Sequence, residues 1–284
     1  MIFPRIAVIG AGTMGAGIVE CFVRAGCTVQ LYDVDEEKGK RALEQLSQRF
    51  AKRVEKGKMS DSERDEWLTR IQLIPQLSQL KEIELVIEAV IEDLDVKREL
   101  FAVLESYVGD NTILATNTSS FSITEIAGMT TFSHRVLGLH FFNPAPVLPL
   151  VEVIRGMKSG QKEVEQVLSW VKLIGKEPVI VEDSPGFLVN RLARSFHTEA
   201  YRLVGERIAS KEQVDQLLTD NGFAMGPFAL QDLIGIDVNY AASLSIFEQF
   251  YYDARYRPHY SQRLLVEGGQ LGRKSGRGHY SYEG

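Results

Sequence analysis

Short β-branched runs alternate, over roughly the first two thirds of the chain, with longer stretches in which apolar residues recur every three or four positions. Arg5 to Ile9 is such a run, closed by Gly10, and Met14 to Ala25 carries apolar side chains at helical spacing. A second run, Thr28 to Tyr32, ends at Asp33. Strand, glycine turn, helix and strand thus follow one another as in one half of a doubly wound sheet. From Glu36 to about Lys58 the chain is charged, with Ala42, Leu43, Leu46, Phe50 and Val54 on one stripe, which predicts a single long amphipathic helix. Further strands are expected at Glu84 to Val90, Thr112 to Ala115, Val136 to Phe142, Val151 to Ile154 and Pro178 to Val181. Helices are expected at Val96 to Ser106 and Lys162 to Leu173. The alternation implies an α/β sheet.

The pattern changes at Asp183-Ser184-Pro185-Gly186, where Ser184 can cap a helix with Pro185 in its first turn. Strand signals stop there. Phe187 to Val204, Ser210 to Asn221 and Asn239 to Phe250 read as helices, the second opened by a Ser210-x-x-Gln213 capping box. The expected domains are therefore 1–184, an α/β unit, and 185–284, an all-helical unit. About a hundred helical residues make a thin core, so the second unit is expected to pack on a twin in a homodimer.

Composition narrows the function classes. The chain has 284 residues, 44% of them hydrophobic and 25% charged, with a formal charge of -6. That balance disfavours nucleic acid as a partner, and the lack of a long apolar stretch disfavours a membrane. Met1 to Arg5 runs straight into a strand pattern without the features of a signal peptide, so a cytoplasmic location is expected. Cys21 and Cys27 lack the companions of a zinc site and read as buried free thiols; no metal is expected. Within this acidic chain, Arg49, Lys52, Arg53, Lys56 and Lys58 form a local basic run. Four of them, 49, 52, 53 and 56, share a helix face that could receive the phosphates of a nucleotide-bearing substrate.

Gly10-Ala11-Gly12-Thr13-Met14-Gly15 follows a strand and opens a helix, the setting in which unpaired backbone N–H groups and the helix dipole meet a pyrophosphate. Asp33, ending the next strand, is placed to accept from ribose hydroxyls and would repel a 2′-phosphate, which predicts NAD rather than NADP. For chemistry, His140 lies near the carboxyl end of Val136 to Phe142, the edge where such sheets bind ligands. A lone histidine in an apolar run is more often a hydrogen-bonded core residue than a base. The turn-rich link Asn143 to Pro149 changes that: if the strands on either side pair antiparallel about residue 146, His140 faces Glu152, an imidazole against a carboxylate. Such a dyad suits proton removal from an alcohol. Ser119 and Asn117, leaving another strand at the same edge, are candidates for contact with substrate or nicotinamide, while Ser122-x-x-Glu125 reads as a capping box. Asn190, on the first helix after the boundary, is a further candidate.

Taken together, Val8 to Gly15, Glu88-Ala89-Val90, Thr116 to Ser120, Gly138 to Pro144, Pro185 to Arg191, Met225 to Phe228 and Gly272 to Gly278 resemble the 3-hydroxyacyl-CoA dehydrogenase family. The likeness spans nearly the whole chain and is strongest to single-function bacterial 3-hydroxybutyryl-CoA dehydrogenases. It implies a doubly wound Rossmann-type domain with a helical hairpin insertion, then an all-α dimerising domain. It further implies NAD-dependent oxidation of (S)-3-hydroxyacyl-CoA, with His140 as base, Glu152 as its orienting partner, and Ser119 and Asn190 on substrate oxygens. Glu92, Lys97, Asn117 and Lys274 are implied along the NAD site, and Lys56 with Ser119 at coenzyme A. His279 departs from the pattern, which has phenylalanine there, in a tail expected near the cofactor. Rival readings are a dehydrogenase of a free hydroxy acid or sugar acid, and a non-catalytic dinucleotide-binding structural protein.

Overall fold

The computed structural model describes residues 4–282, which fall into two compact units meeting at Asp183 and Ser184. In the first unit, β1 (Ile6–Ile9), α1 (Thr13–Arg24) and β2 (Val29–Tyr32) form the expected βαβ unit, followed by α2 (Glu36–Glu55), α3 (Asp61–Thr69) and β3 (Ile71–Leu73). Then come β4 (Leu85–Glu88), α4 (Leu94–Tyr107), β5 (Ile113–Thr116), α5 (Ile123–Ala127), β6 (Val136–Phe141), β7 (Leu150–Arg155), α6 (Gln161–Leu173) and β8 (Glu177–Glu182). The eight strands make one sheet in the order β3-β2-β1-β4-β5-β6-β7-β8. From β3 to β6 all neighbours are parallel, β7 runs antiparallel to β6, and β8 is parallel to β7.

Helices on both faces explain why β1, β4 and β5 are buried at every position and read as continuous apolar runs rather than alternating ones. Phe22, Leu31, Leu46, Phe50, Ile87, Leu139 and Val153 belong to one contiguous core that joins the sheet to its helices. Cys21 and Cys27 are buried free thiols, and burial pushes both up to about 11, which keeps them protonated and unreactive at neutral pH.

Two expectations about helix ends are corrected. The basic helix stops at Glu55, because Gly57 takes a positive φ of 64° and the Ser60 capping box with Glu63 starts α3. The stretch read as one helix to about Lys58 is thus the first arm of the helical hairpin that the family resemblance implies. Its arms meet through an edge contact of Phe50 with Trp67 at 5.2 Å, with Arg53 over the Trp67 ring at 5.5 Å. α3 has no fully buried residue, so no apolar stripe announced it. At the unit boundary Ser184 does not cap a helix. Gly186 and Phe187 both take positive φ, 75° and 48°, which a right-handed helix excludes, and helix begins only at Val189.

The second unit contains α7 (Val189–Gly205), α8 (Lys211–Asp220), α9 (Pro227–Ile234), α10 (Ile236–Gln249) and α11 (Tyr260–Glu267). Ala200, Tyr201, Val214 and Phe228 form a small apolar cluster, and much of the remaining interior is polar. Asp232 accepts from the backbone N–H of His279 and Tyr280 and from the Tyr282 hydroxyl, strapping the C-terminal segment onto α9. Among the described residues no helix is long and apolar enough to cross a membrane.

Candidate active site

The carboxyl ends of β1, β4, β5 and β6 lie along one edge of the sheet, and the candidate residues of the first unit collect there. After β1, Gly10 (φ 104°) packs so closely on Ala89 that a Cβ would lie 2.4 Å from its carbonyl oxygen, and a Cβ on Gly15 would lie 1.8 Å from the Gly10 oxygen. These two glycines let the turn close. Gly12 differs: nothing lies within 4 Å of where its Cβ would be, so the backbone faces open space. α1 begins at Thr13 and Met14 with Gly12 as N-cap, no capping side chain and no acidic residue in the first turn. Its leading N–H groups and positive dipole end therefore suit an anion. Val34 and Ile91, 89% and 66% exposed, follow the ends of β2 and β4 on either side, offering apolar surface to a planar base. The residues fit a dinucleotide.

Asp33 does something that sequence reading did not anticipate. Its Oδ2 accepts from Ala11 N–H at 2.7 Å and its Oδ1 from Asp35 N–H at 2.9 Å, so the carboxylate ties the glycine turn to the end of β2. A carboxylate has about four acceptor positions, which leaves capacity for ribose hydroxyls.

Between β4 and β5 lies a charged network. Glu88, with no exposure, accepts from Val90 N–H and from Lys97 Nζ, each at 2.7 Å, and from Thr116 Oγ1 at 2.7 Å. Lys97 is 1% exposed and also lies 3.2 Å from Glu92. Glu92 in turn accepts from Thr118 Oγ1, Ser119 N–H and Ser120 Oγ. Burial pushes the Glu92 carboxyl up, but the Lys97 charge and these hydrogen bonds outweigh it and leave the group below its usual value. Asn117 fixes the same loop from the other side, its Oδ1 accepting from Phe141 N–H at 2.8 Å. Lys97 thus reaches Ser119 through Glu92, and the exposed Ser119 is presented by a loop held at both ends.

The β6–β7 pair has the register expected from a turn centred on residue 146: His140 pairs with Glu152. His140 Nδ1 and Glu152 Oε2 are 2.6 Å apart, with His140 6% exposed and Glu152 fully buried. Against an ionised carboxylate, which accepts only, Nδ1 would donate and Nε2 would be left as the ring's proton-accepting atom. Phe142 tilts against the imidazole at 4.5 Å between centroids. Lys176, not anticipated from the sequence, donates to Ala145 O and Leu148 O at 2.6 and 2.7 Å and so braces the turn joining the two strands.

The remaining candidates lie apart from this edge in the chain. Lys56 is an exposed C-cap of α2. The basic face is narrower than expected, since Arg49 and Arg53 lie 3.6 and 3.3 Å from the buried Glu20, leaving Lys52, Lys56 and Lys58 exposed. Asn190 sits in the first turn of α7, in the second unit. Lys274, in the same unit, is paired with Asp237 at 2.6 Å. His279 packs against Phe228 and Tyr201, its Nε2 2.9 Å from the Tyr201 hydroxyl. Ser122 accepts from Glu125 N–H, which is the N-cap half of the expected capping box, and its hydroxyl donates to Asp183.

A sheet edge that sets a dinucleotide cradle beside a buried imidazole–carboxylate pair is that of an NAD-dependent oxidoreductase acting on CH–OH groups. Residues 5–184 match the family described as 3-hydroxyacyl-CoA dehydrogenase, NAD binding domain, and residues 186–282 match 3-hydroxyacyl-CoA dehydrogenase, C-terminal domain. The chain belongs to the 3-hydroxyacyl-CoA dehydrogenase family.

It is 45% identical over 278 residues to the 3-hydroxyadipyl-CoA dehydrogenase of Escherichia coli, covering 98% of this chain but only 58% of that protein's length. It is 40% identical over 287 residues to a probable 3-hydroxybutyryl-CoA dehydrogenase of Bacillus subtilis, covering 100% of this chain and 99% of that one. The crystal structure of (S)-3-hydroxybutyryl-CoA dehydrogenase from Ralstonia eutropha matches with a TM-score of 0.95 at 36% identity, over 100% of both chains.

Proposed function

We propose that the protein interconverts (S)-3-hydroxyacyl-CoA and 3-oxoacyl-CoA, with 3-hydroxybutyryl-CoA as substrate. The observation that carries this reading is the buried 2.6 Å contact between His140 and Glu152 at the ligand edge of the sheet. His140 Nε2 takes the C3 hydroxyl proton as the carbonyl forms, and in the reverse direction returns it. Glu152 fixes the tautomer and stabilises the imidazolium as it develops, where a preorganised charge acts most strongly. NAD, when bound, supplies the hydride acceptor for C3. Gly10, Gly12, Thr13, Met14, Gly15 and Asp33 hold its adenosine and pyrophosphate side, with Glu92, Lys97, Asn117 and Lys274 as the further residues of that site. Ser119 and Asn190 bond the substrate oxygens, and Lys56 meets the phosphates of coenzyme A. The second unit pairs with its counterpart in a homodimer.

The experiment is NADH consumption with acetoacetyl-CoA against acetoacetate alone. Turnover restricted to the thioester supports the reading; equal turnover of the free acid favours a hydroxy-acid dehydrogenase, and none with either a binding protein. A second reading of the acyl group, 3-hydroxyadipyl, rests on the likeness to the Escherichia coli relative, and kcat/KM for the two hydroxyacyl-CoA esters decides between them.

A further inference from the structure

A buried carboxylate at the end of an apolar strand needs an account. Glu88 closes Leu85-Val86-Ile87 with every neighbour in that run buried, and it forms an ion pair with Lys97 where both side chains are shut off from water. Such a pair is weak evidence for stability. Apolar residues of the same volume often serve a core as well or better, because desolvating two charges offsets their attraction. Its position is more informative. Ala89, the next residue, is the one Gly10 packs against, and the Glu88 carbonyl accepts from Asn117 N–H at 2.8 Å.

Two hydrogen-bonded routes lead from Glu88 to the loop that bears Ser119. One passes through Lys97 to Glu92, and from there to Thr118 Oγ1, Ser119 N–H and Ser120 Oγ. The other passes through Thr116 Oγ1, which accepts from Thr118 N–H at 3.1 Å. Thr118 Oγ1 then accepts from Ser120 and Phe121 N–H, so both routes converge on residues 118 to 121. Glu92 has its charge partner, Lys97, held in place by Glu88, and satisfied networks of this kind act as one rigid unit.

We infer that Glu88 is a positioning residue for the reaction: through Lys97 and Thr116 it fixes Glu92 and the 118–121 loop, and so sets where Ser119 meets the substrate. It touches neither substrate nor cofactor. The inference rests on the reading of Ser119 given above.

The test combines Glu88→Gln, Ser119→Ala and the double variant with hydrogen exchange on the protein without ligands. Glu88→Gln is expected to lower kcat with acetoacetyl-CoA by about tenfold and to speed amide exchange at Ser119 to Phe121. In the Ser119→Ala background the same substitution should lower kcat by less than about twofold, because two residues acting through one contact are not additive.

Glu88→Gln with wild-type turnover and exchange, beside an impaired Ser119→Ala, would overturn the proposal and leave the reading of Ser119 intact. A full tenfold loss persisting in the Ser119→Ala background would also overturn it, placing the effect elsewhere. Wild-type turnover in Ser119→Ala would instead sink the reading of Ser119 and take the proposal with it. If Glu88→Gln does not fold, Thr116→Val breaks one route alone, and a smaller fall in kcat with faster exchange at 118–121 is expected; no change in either would overturn the proposal.

Discussion

The two units each bury histidines, and they bury them differently. In the first, His140 sits against a fully buried carboxylate at 2.6 Å, on strands whose pairing fixes both side chains. In the second, His197 is buried on α7 with its Nδ1 lacking a hydrogen-bond partner, and His279 meets the neutral Tyr201 hydroxyl. Burial pushes His197 down to about 3, with Arg194 and His279 adding to the effect. Burial likewise brings His279 down to about 4; Asp232 and Asp215 draw it up while Lys211 opposes them. Burial alone makes a histidine a neutral core residue. A carboxylate that accepts from one ring nitrogen makes the other a base that can hold a proton. Acid–base chemistry is expected from the first arrangement and pH-dependent stability from the second.

The largest expected effect comes from removing the base. His140→Gln should lower turnover of acetoacetyl-CoA by about 100-fold or more while leaving the dissociation constant for NADH nearly unchanged; wild-type turnover would erase the contrast between the two sites. Glu152→Gln keeps the shape and removes the charge, and a loss in kcat of about tenfold or more is expected. An unchanged kcat would make Glu152 a structural residue like those around His279.

Lys56→Ala should raise the KM for acetoacetyl-CoA by about fivefold, with little effect on an acetoacetyl pantetheine that lacks the nucleotide phosphates. An equal effect on both substrates would return Lys56 to the solvated surface. The second unit gives the smallest effect on turnover, and its contribution falls on stability instead. His197 and His279 bind protons in the unfolded chain below about 6.5 but resist them when folded, so their contribution is complete above that pH. As the pH falls from 6.5 towards 4, each should cost roughly 1.4 kcal/mol per pH unit. Denaturant unfolding between pH 7 and pH 4.5 checks this: His279→Phe should flatten the slope by one histidine's share, and an unaltered slope would remove His279 from the account.

Local pattern carried the parts of this molecule that depend on neighbours in sequence. β1, the glycine turn and β2 follow from β-branched runs and Gly10, Gly12 and Gly15. The His140–Glu152 register was legible because a short turn-rich link between two strands leaves few ways to pair them. Contacts between distant segments were not legible. Asp33 on Ala11 N–H, Arg49 and Arg53 on Glu20, and Lys176 on the 145–148 turn each join segments that no periodicity relates. Periodicity did not locate α3, the second arm of the hairpin the resemblance implied, because it buries no side chain fully, and α7 starts later than expected because positive φ at Gly186 and Phe187 overrides the Ser184-Pro185 start signal. Glu88 was read only within the Glu88-Ala89-Val90 motif, although a carboxylate ending an apolar strand at the ligand edge of the sheet is itself a signal.

The central claim, that Glu152 makes His140 a base, is tested most directly by the nitrogen chemical shifts of the His140 ring near pH 8. The account predicts a protonated Nδ1 and an unprotonated Nε2 in the native protein, with that preference lost in Glu152→Gln. A ring protonated mainly at Nε2, or a tautomer indifferent to Glu152, would contradict it.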